Sequence, residues 1–168
     1  MPSGGLVFCL DTSILISLSL NYPQPIFKTL WVYLNDLVGE GRLITIDYIL
    51  REYTHEDYVA NWLRGQSGMI KSLSQEAVDC LAQLMSDLPD FVDPSKTDQD
   101  ADQPLVAFAM AYNSSPLDGL SSPKVAIVTA ERGRKPLERR IRIPDACAHY
   151  GIECFDHFEM MRREGWEF

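Results

Sequence analysis

Four short apolar runs separated by helical patterns constrain the fold of this chain more than any other feature. The runs lie at residues 5–10, 43–46, 125–129 and 152–155, and the first, GLVFCL, shows no polar alternation. Such a run is typical of a strand in a parallel sheet that is buried on both faces. Because strands alternate with helices, we expect an α/β fold with a central parallel sheet of four to five strands and helices on both faces.

Helical patterns fill the segments between the apolar runs. They cover residues 24–41, 47–64, 75–88, 98–113, 143–151 and 156–165. The helical period places Trp31 and Phe27 among the core candidates. Residues 93–100 and 113–124 are rich in Ser, Asp, Pro or Gly and are predicted to be loops. The chain shows no internal repeat, so we expect a single domain over residues 1–168.

Composition excludes several classes of protein. The formal charge of −9 argues against a protein that coats nucleic acid non-specifically, although a local basic groove stays compatible with it. Four cysteines, Cys9, Cys80, Cys147 and Cys154, form no CxxC pair, which favours reduced thiols over a zinc site. The start MPSGG lacks the basic region of a signal peptide, and the apolar runs are too short to span a bilayer. We therefore expect a cytoplasmic protein that has no contact with a membrane.

Four acidic residues from separate segments are expected to meet at one edge of the sheet. Asp11 ends the first apolar run, and Glu131 follows the run VAIVT. Asp102 lies at a helix start, and Glu52 lies in the helix after LITI. Ligands of open parallel sheets bind outside the carboxyl ends of the strands, so these acids form a candidate site.

Each of these acids also has a purely structural interpretation. Asp11 and Asp102 are candidates for helix N-caps, although Asp100 is the better cap for the second helix. Glu52 is compatible with a solvated helix position, and Glu131 with a surface ion pair to the arginine that follows it. The functional interpretation depends on the fold placing the four side chains together.

A cluster of carboxylates predicts a bound cation. Two carboxylates about 5 Å apart repel by roughly 3 kcal/mol at an effective dielectric constant near 20. The set offers only oxygen ligands, and no His or Cys is suitably spaced, which favours Mg²⁺ or Mn²⁺ over zinc. Such ions activate water and neutralise charge on phosphate oxygens. The natural substrate is therefore a phosphodiester.

The motifs that carry these acids resemble a known family. LDTS, ILREY, DADQPLVAFAMA and VTAE occur in the order and at the spacing of the PIN domain. VTAE, IPDAC and GIECFDHFEMM are similar to the PIN-like branch called DUF4411. The resemblance implies a three-layer α/β/α sandwich and a metal-dependent endoribonuclease that hydrolyses RNA with metal-activated water. Such enzymes are often the toxin of a bacterial toxin–antitoxin pair, so an antitoxin partner is expected.

The resemblance also implies roles for individual residues. The metal-binding and catalytic acids would be Asp11, Glu52, Asp102 and Glu131. Ser13 would orient a metal-bound water, and Asp145 is an additional metal-ligand candidate that is equally a helix cap. The fourth acid is commonly Asp in PIN domains, whereas Glu131 adds a methylene that loosens the metal geometry.

A basic segment, defined as residues 132–142, follows the predicted metal edge. Its cations are Arg132, Arg134, Lys135, Arg139, Arg140 and Arg142. A charge run of this kind is often a solvated loop. However, an acidic site repels a polyanion, so an RNA substrate needs cations close by, and we expect these residues to contact RNA. An antitoxin that covers the same surface is an alternative occupant.

Four further possibilities stay open at the level of sequence. Trp62, Arg64 and Gln66 are candidates for base contacts, although a packed tryptophan beside an ion-paired arginine is favoured. A PIN-like module that binds RNA or protein without cleavage is compatible with the same motifs, and so is a homodimer. A HAD-like phosphohydrolase also places an aspartate at the end of its first strand, but it needs a second acid two residues later, where this chain has Ser13.

Overall fold

The first apolar run forms the central strand of a parallel sheet. The computed structural model describes residues 5–66, 68–93, 95, 100–114 and 123–168. The strands are β1 (Leu6–Leu10), β2 (Leu43–Ile46), β3 (Ile70–Lys71), β4 (Lys124–Val128) and β5 (Cys154–Phe155). Within the described residues the sheet has the order β3-β2-β1-β4-β5, and all its neighbouring strands are parallel. The expected α/β class and the expected parallel sheet are confirmed.

Both faces of the sheet are covered. Val7, Phe8, Cys9 and Leu10 of β1 are all buried, at 4% exposure or less. Successive side chains of a strand point to opposite faces, so the burial of four consecutive residues requires packed layers on both sides. This arrangement is the three-layer α/β/α sandwich that the sequence predicts.

The helices follow the strands in alternation. They are α1 (Thr12–Asn21), α2 (Lys28–Gly39), α3 (Asp47–Glu52), α4 (Tyr58–Arg64), α5 (Gln75–Asp87), α6 (Asp102–Ser114), α7 (Ile143–Tyr150) and α8 (His157–Glu164). A short 3₁₀ turn, Pro89–Phe91, follows α5. In the described part of the chain, no helix has the length and apolar character needed to cross a bilayer.

The structure corrects the predicted elements at several points. The helical pattern over residues 47–64 is two helices, because the backbone leaves the helix at Tyr53 and Asp57 caps α4 through its hydrogen bond from Ala60 N (2.9 Å). The fourth apolar run, 152–155, is a strand only at its last two residues. Strand β3 is two residues long and was missed because so short a strand has no readable period.

The predicted loops at residues 93–100 and 113–124 fall largely outside the described residues. Positions 94, 96–99 and 115–122 are not described. The helix predicted from residue 98 begins at Asp102 in the structure.

The two core candidates in the helical pattern at residues 24–41 differ in burial. Trp31 is buried at 4% exposure and lies edge-to-face against Trp62, with ring centroids 5.2 Å apart. The prediction for Trp31 is therefore confirmed. The prediction for Phe27 is wrong: the residue is 36% exposed, because it precedes α2 at the surface, where its ring lies 5.2 Å from that of Tyr22.

Candidate active site

Asp11 lies at the junction of β1 and α1, at the carboxyl edge of the sheet. Its Oδ1 accepts a hydrogen bond from Thr12 N (2.8 Å). Its Oδ2 accepts two more, from Ser13 Oγ (2.7 Å) and Thr129 Oγ1 (2.8 Å). The carboxylate is 3% exposed. Asp11 is thus the N-cap of α1, as one interpretation of the sequence has it, but it is far more buried than a cap needs to be.

The environment of Asp11 disfavours its negative charge. Burial raises the pKa of the Asp11 carboxyl. The hydrogen bonds from Ser13, Thr129 and Thr12 lower this pKa in part, and the negative charge of Glu52 raises it again. The net pKa lies above the ordinary value. A cation at this edge would offset that cost, because it favours the ionised form.

Thr129, at the end of β4, forms a hydrogen bond to Asp11 at the end of β1. Its side chain is 2% exposed; it donates to Asp11 Oδ2 and accepts from Glu131 N (3.0 Å). No role was assigned to this threonine from sequence. The available signal was its place: a polar residue at the end of an otherwise apolar strand, two positions before an acid.

Ser13 completes this network. Its hydroxyl donates to Asp11 and accepts from Ala130 N (2.9 Å), and its oxygen lies 3.3 Å from that of Thr129. A serine hydroxyl has one hydrogen and two lone pairs. Ser13 therefore keeps one lone pair with which to orient a water, and it can do so only as an acceptor while it donates to Asp11.

Glu131 reaches the same edge from the end of β4. Its Oε2 accepts a hydrogen bond from Ile143 N (3.2 Å), the first residue of α7. Burial raises the pKa of the Glu131 carboxyl, and so does the negative charge of Asp11, whereas Ile143 N, Arg140 and Arg142 lower it. The net pKa is above the ordinary value. The charge of Asp11 therefore acts on Glu131. A residue that only formed a surface ion pair with Arg132 would not need to lie this close to Asp11.

Glu52 joins the group through the start of α6. It is the last residue of α3, and its Oε2 accepts from Ala101 N (3.0 Å), directly before Asp102. The helix ends here, since the backbone of Tyr53 is extended, so Glu52 occupies the carboxyl end of α3. Glu52 is half-buried and acts electrostatically on Asp11, so it is not the solvated helix residue of the alternative interpretation.

Asp102 is buried at the first turn of α6 and lies next to a cation of the chain itself. The residue is 3% exposed, and its Oδ2 is 3.8 Å from a guanidinium nitrogen of Arg140. Arg140 also reaches Asp93 Oδ2 at 3.5 Å. Asp100 accepts from Asp102 N (3.2 Å) and so serves the start of α6, as the sequence predicts. Asp93 was not singled out from sequence, because no periodic pattern connects it to residue 140.

Asp145 organises the basic segment. Its Oδ2 accepts from Arg134 N (3.0 Å) and from Arg142 N (2.9 Å). A Cβ at Gly133 would lie 3.1 Å from Asp145 Oδ1, so the loop passes close to this carboxylate. These contacts favour the capping interpretation of Asp145 over its role as a metal ligand.

The basic segment divides into paired and exposed cations. Arg140 pairs with Asp93 and Asp102, and the Arg142 guanidinium pairs with Glu138, with Nε 3.1 Å from Oε1. The remaining members are exposed; they are Arg132, Arg134, Lys135 and Arg139. The exposed cations lie on the loop that directly follows Glu131.

The carboxylates have the donor chemistry of a hard divalent ion, but their present positions do not form a finished metal site. Among the described residues, no group of three or more His, Cys, Asp or Glu side chains is arranged to hold a metal ion. Glu52 and Glu131 each hold a backbone amide, and Arg140 lies beside Asp102. Metal binding therefore requires movement of side chains.

Trp62 is not available for base stacking. It is 8% exposed, and its Nε1 donates to Asn35 Oδ1 (2.8 Å). Arg64 pairs with Glu56 at 2.9 Å. The favoured interpretation, a packed tryptophan beside an ion-paired arginine, is confirmed.

Comparison with known proteins identifies one family. No curated protein and no solved structure matches the chain. The model of the family described as "Domain of unknown function (DUF4411)" matches residues 8–168 and so includes all four candidate acids. The chain belongs to the DUF4411 family.

Proposed function

We propose that this protein is a metal-dependent endoribonuclease of the PIN type and the toxin of a bacterial toxin–antitoxin pair. The observation that carries the proposal is the buried Asp11 carboxylate, held by two hydroxyls at the end of the central strand and within electrostatic range of Glu52 and Glu131. Buried carboxylates with raised pKa values cluster at functional sites. The similarity of the sequence motifs to PIN domains adds the reaction class.

Mg²⁺ or Mn²⁺ is the proposed cofactor. The donor set is carboxylate oxygen, which suits these ions. Asp11, Glu52, Asp102 and Glu131 would hold the metal. A bound ion of this kind would lower the pKa of a water and neutralise charge on the phosphate.

The side chains around Asp11 have separate tasks in this proposal. Thr129 and Ser13 fix the Asp11 carboxylate in one orientation, so its free Oδ1 lone pair faces a defined direction. The remaining lone pair of Ser13 positions a water by accepting its hydrogen. The backbone amides of Ala101 and Ile143 hold Glu52 and Glu131 near the sheet edge in the absence of metal. These hydrogen bonds would be exchanged for metal contacts when the ion binds.

The exposed cations of the basic segment would dock the RNA backbone. Arg132 and Arg134 follow Glu131 directly and are exposed, so they are available to phosphate oxygens. Such contacts position a substrate without reading its sequence. In the toxin interpretation, the antitoxin covers this surface in the cytoplasm, and a homodimer is an additional expected assembly.

Cleavage of RNA tests the proposal. Purified protein is expected to cut single-stranded RNA when Mg²⁺ or Mn²⁺ is supplied and to stop in excess chelator. Asp11→Asn is expected to lose at least about 100-fold in rate, since loss of partners around a metal already costs about 10- to 100-fold. Asp36→Asn, an exposed carboxylate on α2, is the matched control and should keep full activity.

The fold of the Asp11 variant is checked by thermal unfolding in chelator. Asparagine keeps an oxygen for Thr12 N, and the hydroxyls of Ser13 and Thr129 can rotate to accept from its amide. We therefore expect a melting temperature no lower than that of the wild type. Cleavage that persists in excess chelator, or in folded Asp11→Asn, would contradict the proposal.

One observation favours a second candidate function. Because no metal-ready group is present among the described side chains and Arg140 already lies beside Asp102, a PIN-like module that binds RNA or protein without cleavage is the alternative. RNA binding that is independent of metal, with no cleavage under any condition, would support this alternative.

A further inference from the structure

A cavity of about 460 Å³ adjoins the candidate active site on its β5 side. Thr129 and Glu131 line it at the end of β4, and His157 and Phe158 line it at the start of α8. Because Thr129 also binds Asp11, the cavity and the carboxylate edge share a wall. Its volume lies within the range of small-molecule sites in proteins.

The cavity presents an aromatic ring that is only half covered. Phe158 is 50% exposed, and its ring centroid lies 4.2 Å from that of the buried His157, with an interplanar angle of 32°. The His157 ring packs against the phenyl ring, whose exposed part offers an apolar surface. Nucleobases stack on such rings in proteins that bind single-stranded RNA.

Two other lining residues, His157 and Arg132, are polar or cationic. His157 is 8% exposed, its Nε2 lies 3.1 Å from the Tyr22 hydroxyl, and its Nδ1 finds no hydrogen-bond partner in the described part of the chain. Arg132 lines the same cavity and is exposed. The exposed Phe158 ring and the exposed Arg132 cation together match a nucleotide, the ring as a surface for the base and the cation as a partner for the phosphate.

We propose that this cavity binds one unpaired nucleotide of a single-stranded RNA, with its base stacked on Phe158 and its phosphate near Arg132. The inference rests on the proposed function, because it assigns the nucleotide beside the one held at Asp11. The cavity would thereby restrict the substrate to RNA whose base is free to leave a duplex.

Fluorescence of 2-aminopurine tests this site by a readout other than cleavage. Short single-stranded RNAs that carry 2-aminopurine are titrated with Asp11→Asn protein in Mg²⁺, and stacking on Phe158 is expected to quench the emission. Adding Phe158→Ala should remove the quenching and weaken RNA binding about tenfold, the scale of one base–aromatic stack. Adding Phe158→Tyr instead, which keeps a ring, should restore most of the quenching. Phe168→Ala, which also removes an exposed phenyl ring, should leave it unchanged.

The kinetic counterpart uses enzyme that retains Asp11. Phe158→Ala is expected to raise KM for RNA about tenfold and to change kcat little, because the ring would bind a neighbouring nucleotide and not the reacting phosphate. Equal quenching with and without Phe158, or no quenching at all, overturns the proposed cavity site. The proposed site is also overturned if Phe158 is needed to bind a protein partner and is not needed to bind RNA. Absence of cleavage by the wild type, with Phe158-dependent quenching intact, would instead overturn the proposed nuclease and keep the site.

Discussion

Two helix-capping aspartates of this protein have pKa values that are shifted in opposite directions. Asp11 and Asp57 both precede a helix and both cap it with the side chain. Burial would raise the pKa of each, yet the pKa of Asp57 is lowered, because hydrogen bonds from Ser19, Tyr53 and Ala60 outweigh it. The pKa of Asp11 is raised, because burial and Glu52 prevail. The same cap pattern in sequence thus hides a structural residue and a functional candidate.

The account of Asp57 predicts a pH-dependent loss of stability. Asp57→Ala should lower the free energy of unfolding by about 1 to 2 kcal/mol at pH 7, the scale of a lost helix cap. Asp57→Asn keeps an acceptor for Ala60 N and should lose less. An acid with a lowered folded-state pKa stabilises the fold above its unfolded pKa, and this contribution disappears as the pH falls through the folded value.

Denaturant unfolding of these variants between pH 2 and 7 provides the measurement. The difference in stability between wild type and Asp57→Asn should be constant near neutral pH and should shrink below about pH 4, where aspartate titrates. A difference that grows on acidification would show that the Asp57 charge does not stabilise the fold.

The loop between β4 and α7 brings a cation of the chain close to the candidate acids. Asp145 anchors the basic segment at both ends through Arg134 N and Arg142 N. This anchoring places the Arg140 guanidinium beside Asp102, so the chain itself supplies a cation at the predicted metal edge. The charge of the segment and its position after Glu131 predict an RNA contact, but they give no means to tell paired from exposed cations.

Replacement of Arg140 should therefore affect metal and RNA in opposite directions. Arg140→Gln leaves Asp102 and Glu131 with less compensating charge, so Mn²⁺ binding should tighten about two- to fivefold, the scale of a partly exposed ion pair. RNA binding should weaken, because one cation is lost. Calorimetric titration with Mn²⁺, and a separate RNA titration, measure the two effects.

Arg139→Gln is the matched control for this experiment. Arg139 is exposed in the same segment, and its replacement changes the net charge equally. It should weaken RNA binding and leave Mn²⁺ affinity unchanged. If the two variants bound Mn²⁺ equally, the position of Arg140 beside Asp102 would have no influence on metal binding.

The fold of the whole molecule could be predicted from patterns in a single sequence. The detailed contacts of the candidate site could not. Apolar runs placed β1 and β4 in a parallel sheet, and the carboxyl-end rule then placed Asp11 and Glu131 at one edge. The helix break at Tyr53 lacked a strong signal such as Pro or Gly, so the position of Glu52 at the end of α3 could not be read. The ion pair between Arg140 and Asp93 depends on tertiary packing of distant segments, which periodicity does not encode.

We propose that folding gathers Asp11, Glu52, Asp102 and Glu131 into a binding site for a divalent cation. The most direct measurement is a Mn²⁺ titration followed by the electron paramagnetic resonance signal of the free ion. We predict saturable binding to the wild type and to Asp36→Asn, and binding at least about tenfold weaker, or 1.4 kcal/mol, in folded Asp11→Asn. Equal affinity in Asp11→Asn, or no saturable binding to the wild type, would contradict the claim.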